Sequence, residues 1–306
     1  MDPLSDVLSL LKVRNSKSGG FDAGEHWSLH FVQQDGIKFY AVVSGECWLT
    51  VDGVPDPVRI KSGDCFLLPR GRAYRMSSEM SLTPLDARDF FSRAQSGHIN
   101  VYNGGGQFFS ICGRFTLTGD FADILLEALP PIVHYEEANK VVLRWCVEQM
   151  MDELRESRPG NSLVIEYLAH MMLLQALRLH MTEGSRNRAG WLFALADERI
   201  SAAIKCMHDD PARRWTVQSL AKSAAMSRTA FSLKFKETVG TSPVEYLTRW
   251  RTLLAADRLS ASRDSISRIS SSLGYESESA FTTAFKRVLG SSPREYRRRR
   301  QDGGDL

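Results

Sequence analysis

Short apolar runs, each closed by turn residues, mark the first third of the chain. Phe39–Val43, Cys47–Val51 and Cys65–Leu68 are such runs. Ser44-Gly45, Asp52-Gly53, Ser62-Gly63-Asp64 and Pro69-Arg70-Gly71 close them. Phe108–Leu117 adds a strand beyond the Gly104-Gly105-Gly106 loop, so residues from about 25 to 118 predict a sandwich or small barrel. After Pro130-Pro131 the pattern turns helical. Val141, Trp145, Glu148 and Asp152 keep helical spacing, Met150, Met151 and Leu154 supply the apolar side, and Arg158-Pro159-Gly160 ends that helix. A second helix is predicted over about 162–181, with Leu163, Tyr167, His170, Leu174 and Leu177 near one stripe. Glu183 to Arg188 reads as a polar linker, and Trp191 to Arg300 as helical. At the start, Leu4, Val7, Leu8 and Leu11 line one face of a short helix. Asp2 and Asp6 stand where a secretion signal would be basic.

The strongest pattern is a duplication with a period near 50. TVQSLAKSAAMSRTAFSLKFKETVGTSPVEY (216–246) returns as SISRISSSLGYESESAFTTAFKRVLGSSPREY (265–296). Each copy predicts a short helix capped by Thr216 or Ser265, and a turn built on Ala224-Ala225 or Gly274. A second helix capped by Ser227 or Ser277 follows. Phe231 and Phe235, like Phe281 and Phe285, are i,i+4 pairs for burial. The opposite face then carries Arg228, Thr229, Ser232, Leu233 and Lys236 in one copy. In the other it carries Ser279, Thr282, Thr283, Lys286 and Arg287. A helix with one buried and one polar-basic face suits the major groove of double-stranded DNA. Each copy closes on Ser-Pro-x-Glu-Tyr, a capping box with proline at the first helical position.

Charge sharpens this reading. The 306 residues carry a net charge of only +3, but residues 197–300 hold 20 Lys and Arg against 11 Asp and Glu. A basic half joined to a mildly acidic one suggests a DNA-facing module attached to one that does not touch DNA. The five cysteines are spread out with no C-x-x-C pair, which argues against a disulfide framework or cysteine-rich zinc site and fits the cytoplasm. No apolar run approaches the ~20 residues of a membrane span, so no membrane partner is expected.

Residues 191–300 resemble the DNA-binding domain of the AraC/XylS family of bacterial regulators, through "SLAKSAAMSRTAFSLKFKETVGTSPVEYL", "RWRTLLAADRL" and "GYESESAFTTAFKRVLGSSPREYR". The resemblance implies two helix-turn-helix subdomains, at about 216–237 and 265–287, joined by a helix from about Pro243 to Leu259. Their second helices would enter successive major-groove segments. Residues 20–120 resemble the cupin-type sensor of one subgroup, through "FYAVVSGECWLTVDG", "VRIKSGDCFLLPRGRAY" and "FSICGRFTL". This implies a signal-sensing β-barrel followed by helices that mediate dimerisation.

The expected fold is therefore multi-domain. A cupin-like sensor barrel (1–125) is followed by a helical dimerisation segment and linker (126–190). An all-α DNA-binding domain with two helix-turn-helix motifs (191–300) and a short tail (301–306) complete the chain. The expected function is a homodimeric, promoter-binding transcription activator that works with RNA polymerase under a small-molecule effector, with no cofactor. Tyr40, Trp48, Phe66 and Tyr74 are the candidate ligand residues, facing either into or out of the barrel. Tyr40 and Tyr74 stand where many such sensors and metal-binding cupins carry histidine, which argues against a metal and against cupin enzyme chemistry. The alternatives are an oxidant sensor using Cys112 and a cupin enzyme with a DNA tether. At Leu233 and Thr283 the family commonly has arginine, so a weaker preference for guanine is expected there. Arg251 either braces the two subdomains or touches phosphate, and Arg294 with Arg297–Arg300 forms a basic tail.

Overall fold

A computed structural model describes residues 2–10, 13–92, 97–117, 126, 129–136, 141–156, 158–183 and 190–302. They fall into two compact units. One lies within residues 13–118 and 129–180, the other within residues 1–12, 119–128 and 181–306. The predicted linker at Gly184 to Arg188 and the tail at 303–306 lie outside the described residues.

Helix α1 (Pro3–Leu10) opens the chain and belongs to the second unit. Among its described residues the first unit then builds eleven strands: β1 (Arg14–Ala23), β2 (Ser28–Phe31), β3 (Ile37–Ser44), β4 (Glu46–Val51), β5 (Val58–Lys61), β6 (Cys65–Leu68), β7 (Tyr74–Ser77), β8 (Leu85–Asp86), β9 (Ile99–Tyr102), β10 (Phe108–Thr116) and β11 (Val133–Tyr135). Helix α2 (Ala87–Phe91) follows β8. The strands form a six-stranded sheet in the order β11-β6-β3-β10-β1-β9 and a five-stranded sheet in the order β5-β4-β7-β2-β8. Phe21, Trp27, Leu29, Tyr40, Val42, Phe66, Met76 and Phe108 bury one continuous core.

β3 shows why strict alternation is absent from its sequence. Tyr40 and Val42 join that core, while Ile37, Phe39 and Ala41 are also buried, because the outer face of the larger sheet is covered too. The cover comes from α3 (Val141–Glu156) and α4 (Asn161–Glu183). The Tyr135 hydroxyl donates to the Ala176 carbonyl at 2.8 Å, His170 Nε2 donates to the Val13 carbonyl at 3.1 Å, and the His170 ring meets Phe115 edge-on.

On α3 the expected apolar side is buried at Met150 and Leu154, whereas on α4 the expected stripe shifts. α3 buries Leu143, Cys146, Met150 and Leu154, leaving Val141 and Trp145 exposed. α4 buries Ile165, Leu168, Ala169, Met172, Leu173, Ala176 and Leu177, so Leu163 and Tyr167 lie outside, not on the packed stripe. Over Asn161–Met181 this helix is long and apolar enough by composition to cross a bilayer, contrary to the absence read from sequence. It packs one side on the sheet instead. Being apolar all round, it shows little amphipathic signal, which is why the stripe was misplaced.

The second unit continues with α5 (Trp191–Ala194), α6 (Glu198–Asp209), α7 (Val217–Ser223), α8 (Arg228–Val239), α9 (Pro243–Ala261), α10 (Ile266–Ser272), α11 (Glu278–Leu289) and α12 (Pro293–Asp302). The two copies of the repeat are near-replicas. Thr216 and Ser265 cap α7 and α10, while Ser227 and Ser277 cap α8 and α11. Gly240 and Gly290 end α8 and α11 in the left-handed conformation that stops a helix. The Phe231–Phe235 and Phe281–Phe285 ring centroids are both 5.5 Å apart, and Tyr246 and Tyr296 close each cluster edge-on.

Candidate nucleic-acid interface

Burying the phenylalanine pairs fixes which face of α8 and α11 is left outside. On α8, Arg228, Thr229, Leu233 and Lys236 are exposed and Ser232 is half-buried. On α11, Ser279, Thr283, Lys286 and Arg287 are exposed and Thr282 is half-buried. All ten candidates thus lie away from the core. Their shared i, i+3, i+4, i+7 spacing (229, 232, 233, 236 and 279, 282, 283, 286) makes one ridge per helix. Leu233 is 60% exposed, an apolar side chain on a polar-basic ridge. The Thr283 hydroxyl donates to the Ser279 carbonyl at 3.0 Å, so outward it offers a methyl group and an acceptor lone pair.

The helix between the copies holds their relative placement. Arg251 on α9 donates to the Pro211 carbonyl at 2.6 Å and the Arg213 carbonyl at 2.9 Å, and its guanidinium lies over the Tyr275 ring. It ties the approach to the first motif to the turn of the second, and is occupied as a brace. The terminal arginines are not a tail but lie in α12. Arg297 donates to the Asp264 carbonyl at 2.5 Å, and Arg300 stacks over Tyr296. The closing capping boxes also differ. The Glu295 carboxylate returns to the Ser292 backbone N–H at 2.8 Å, whereas Glu245 faces Arg249 at 3.4 Å.

One buried polar cluster gave no signal in the sequence. His208 on α6 stacks on Trp250 at 3.8 Å and lies between the Asp6 carboxylate (3.2 Å) and the Tyr246 hydroxyl (2.8 Å). A neutral imidazole satisfies both, donating from Nδ1 and accepting at Nε2. Burial lowers its pKa to about 4, outweighing the opposing pull of Asp6. The folded value lies below the ordinary 6.5, so this contribution is complete above about pH 6.5 and is lost as pH falls toward 4. The melting midpoint of the second unit is expected to fall more steeply over that window than in His208→Gln. Equal slopes in a pH series of thermal melts would contradict the assignment.

The barrel candidates divide. Tyr40, Phe66 and Tyr74 are buried together. Tyr40 stacks on Phe66 at 4.7 Å, Tyr74 stacks on Phe31 at 4.5 Å, and the two hydroxyls hydrogen-bond at 2.5 Å. Trp48 stands apart. Its strand neighbours Cys47 and Leu49 point into the core, while its own ring lies outside under Arg59. Burial pushes both phenols up and keeps them protonated, so this pair does not suit a divalent metal. Cys112 lies opposite Tyr40 across β3 and β10, and burial raises its pKa too, suppressing the thiolate that oxidant sensing needs.

Comparisons with known proteins cover both parts of the chain. A cupin family model matches residues 2–182, and a helix-turn-helix domain model matches residues 220–299. The chain is similar to an AraC-like transcription regulator of Streptomyces lividans, at 42% identity over 91% of this chain and 92% of that one. A second AraC-like regulator, from Streptomyces antibioticus, is 41% identical over the same shares. Among solved structures, the DNA-binding domain of AdpA in complex with a target DNA is 29% identical, covering 33% of this chain and 92% of that one, with a TM-score of 0.33.

Proposed function

Since this chain belongs to the AraC family of DNA-binding transcription regulators and carries an N-terminal cupin domain, we propose that it is a homodimeric, sequence-specific activator governed by a small-molecule signal. The single observation that supports this best is the pair of recognition helices. Their caps and aromatic cores match, while their outward ridges differ. Two ridges of different chemistry on one braced frame suit an asymmetric DNA sequence. Arg228, Thr229, Ser232, Leu233 and Lys236 read one groove segment, and Ser279, Thr282, Thr283, Lys286 and Arg287 the next. Lys236, Lys286 and Arg287 serve phosphate. The protein acts in the cytoplasm, meeting RNA polymerase at the promoter. The working division is a sensor over 1–125, a dimerisation segment over 126–190 and a DNA-binding domain over 191–300, with α1 packed in the unit of the DNA-binding domain and α3 and α4 in the unit of the sensor.

Dimerisation draws on the outer faces of α3 and α4. Val141 is 83% exposed, Tyr167 66% and Trp145 47%, with Leu163 and Met171 beside them in sequence. Apolar and aromatic side chains at this density are an interface composition rather than a solvated one. Trp145→Glu combined with Tyr167→Glu is expected to give a monomer by sedimentation and to weaken DNA binding at least tenfold, because the second DNA contact loses its tether. A variant that remains dimeric, or a wild type that is monomeric, would overturn this reading of the helices.

A further inference from the structure

We infer that the signal enters the sensor unit on the outside of its larger sheet, in a groove between β3, β6 and α3, and that its ligand is an apolar molecule without net charge carrying one hydrogen-bonding group. This rests on the reading of that unit as a signal receiver. The barrel candidates are packed against one another, whereas the groove offers a cavity of about 460 Å³, within the range of small-molecule sites.

Side-chain size along β3 explains the space. Ile37 and Phe39 fill the outer face at one end of the strand, and the same face then continues with the small Ala41 and Val43. Cys65, the outward neighbour of Phe66, completes the floor. Leu143, Val147 and Met151 form the helix wall. These side chains are apolar, and Met151 adapts easily to an irregular occupant.

On the sheet side the Ser62 hydroxyl is already spent on the Val43 carbonyl at 2.8 Å, and the charged groups are Arg144 and Glu148, one turn apart on α3 and both exposed. A ligand of either net charge would meet its own sign there. A neutral hydroxyl, amide or amine can donate to the Glu148 carboxylate at no such cost. α3 is thus the wall that a ligand touches, and Val141 and Trp145 stand beside that wall on the same helical spacing as Glu148. Occupancy therefore biases the helix that the proposed dimer uses, which is how binding would reach the DNA-binding unit.

The test uses N-phenyl-1-naphthylamine, an uncharged aromatic fluorophore with a single N–H, titrated into the full chain. Saturable one-site binding is expected. Val147→Trp, filling the groove from the helix, and Val43→Trp, filling it from the sheet, are each expected to weaken binding at least tenfold. Tyr74→Phe inside the barrel should leave it within twofold. Each variant is compared only where its melting midpoint shows that it folds, and Val147→Trp, at a half-buried helix position, keeps the test intact if Val43→Trp does not fold. Absence of saturable binding, indifference to the filling substitutions, or loss with Tyr74→Phe would each overturn the site. Affinity for DNA selected from a random pool is followed in the same titration. Dye bound in the groove with DNA affinity unmoved keeps the site but overturns its part in signal reception.

Discussion

Replacing Gly274 with alanine is expected to unfold the second helix-turn-helix and abolish specific DNA binding. Gly274 sits in the left-handed region at φ 78°, and a Cβ placed there would lie 2.0 Å from the Ala212 carbonyl oxygen. That oxygen is backbone, on the turn that Arg251 also grips, so it cannot yield as a flexible side chain would. The left-handed conformation alone costs an alanine ~1 kcal/mol, and the collision brings the expected loss to roughly 3 kcal/mol or more. In a domain of this size that lowers the melting midpoint by roughly 10–20 °C. The first copy supplies the control. Ala225 holds the equivalent turn position at φ 51°, with the same hydrogen bond from the following residue's N–H to a carbonyl in the preceding helix. Ala225→Gly relieves strain but loosens the unfolded chain, so a change within about 1 kcal/mol is expected. Thermal melts followed by helical signal measure both. A Gly274→Ala protein melting within about 2 °C of wild type would contradict this account of the turn.

Removing Lys236, Lys286 and Arg287 together is expected to have the other large effect. All three are exposed at the C-terminal ends of their helices, at the edge of each ridge. If each neutralises one phosphate, the slope of log affinity against log salt falls by ~0.9 per residue, or about 2.7 in all. At moderate salt, affinity is expected to drop at least a hundredfold, with the sequence preference retained, because phosphate contacts position the protein without reading bases. Leu233→Ala and Thr283→Ala should do the reverse, leaving the salt slope alone while relaxing the preferred sequence. Their side chains present a branched alkyl group and a methyl group, which match a thymine methyl better than a guanine edge. Salt-dependent anisotropy titrations on one selected DNA separate the two classes. An unchanged slope in the triple variant would remove these residues from the phosphate contact.

These effects differ in how far the sequence foretold them. The repeat was legible because its signals are local. A serine cap, a phenylalanine pair at i,i+4 and a closing glycine act within a few residues of one another, so their spacing carries their structure. The turn at Gly274 was legible only as small. That alanine would fail there while Ala225 stands at the matching position depends on Ala212, more than sixty residues away. His208 was silent for the same reason, since its partners Asp6, Tyr246 and Trp250 come from three distant segments. On the barrel side, β3 is buried on both faces, so no alternation could show that Tyr40 points inward and Ala41 outward. The groove has no motif at all. It exists because Ala41 and Val43 are small where α3 passes over them, a fact of volume that only the fold brings together.

The central claim is that both helix-turn-helix motifs of one protomer engage DNA at once, each through its own ridge. Hydroxyl-radical footprinting of the full chain on a selected site tests it most directly, run beside Leu233→Asp and Thr283→Asp. Each protomer should protect two backbone segments about one helical turn, ~10.5 bp, apart. Leu233→Asp should erase one segment and Thr283→Asp the other. A single protected segment per protomer, or either substitution leaving both segments intact, would contradict the account.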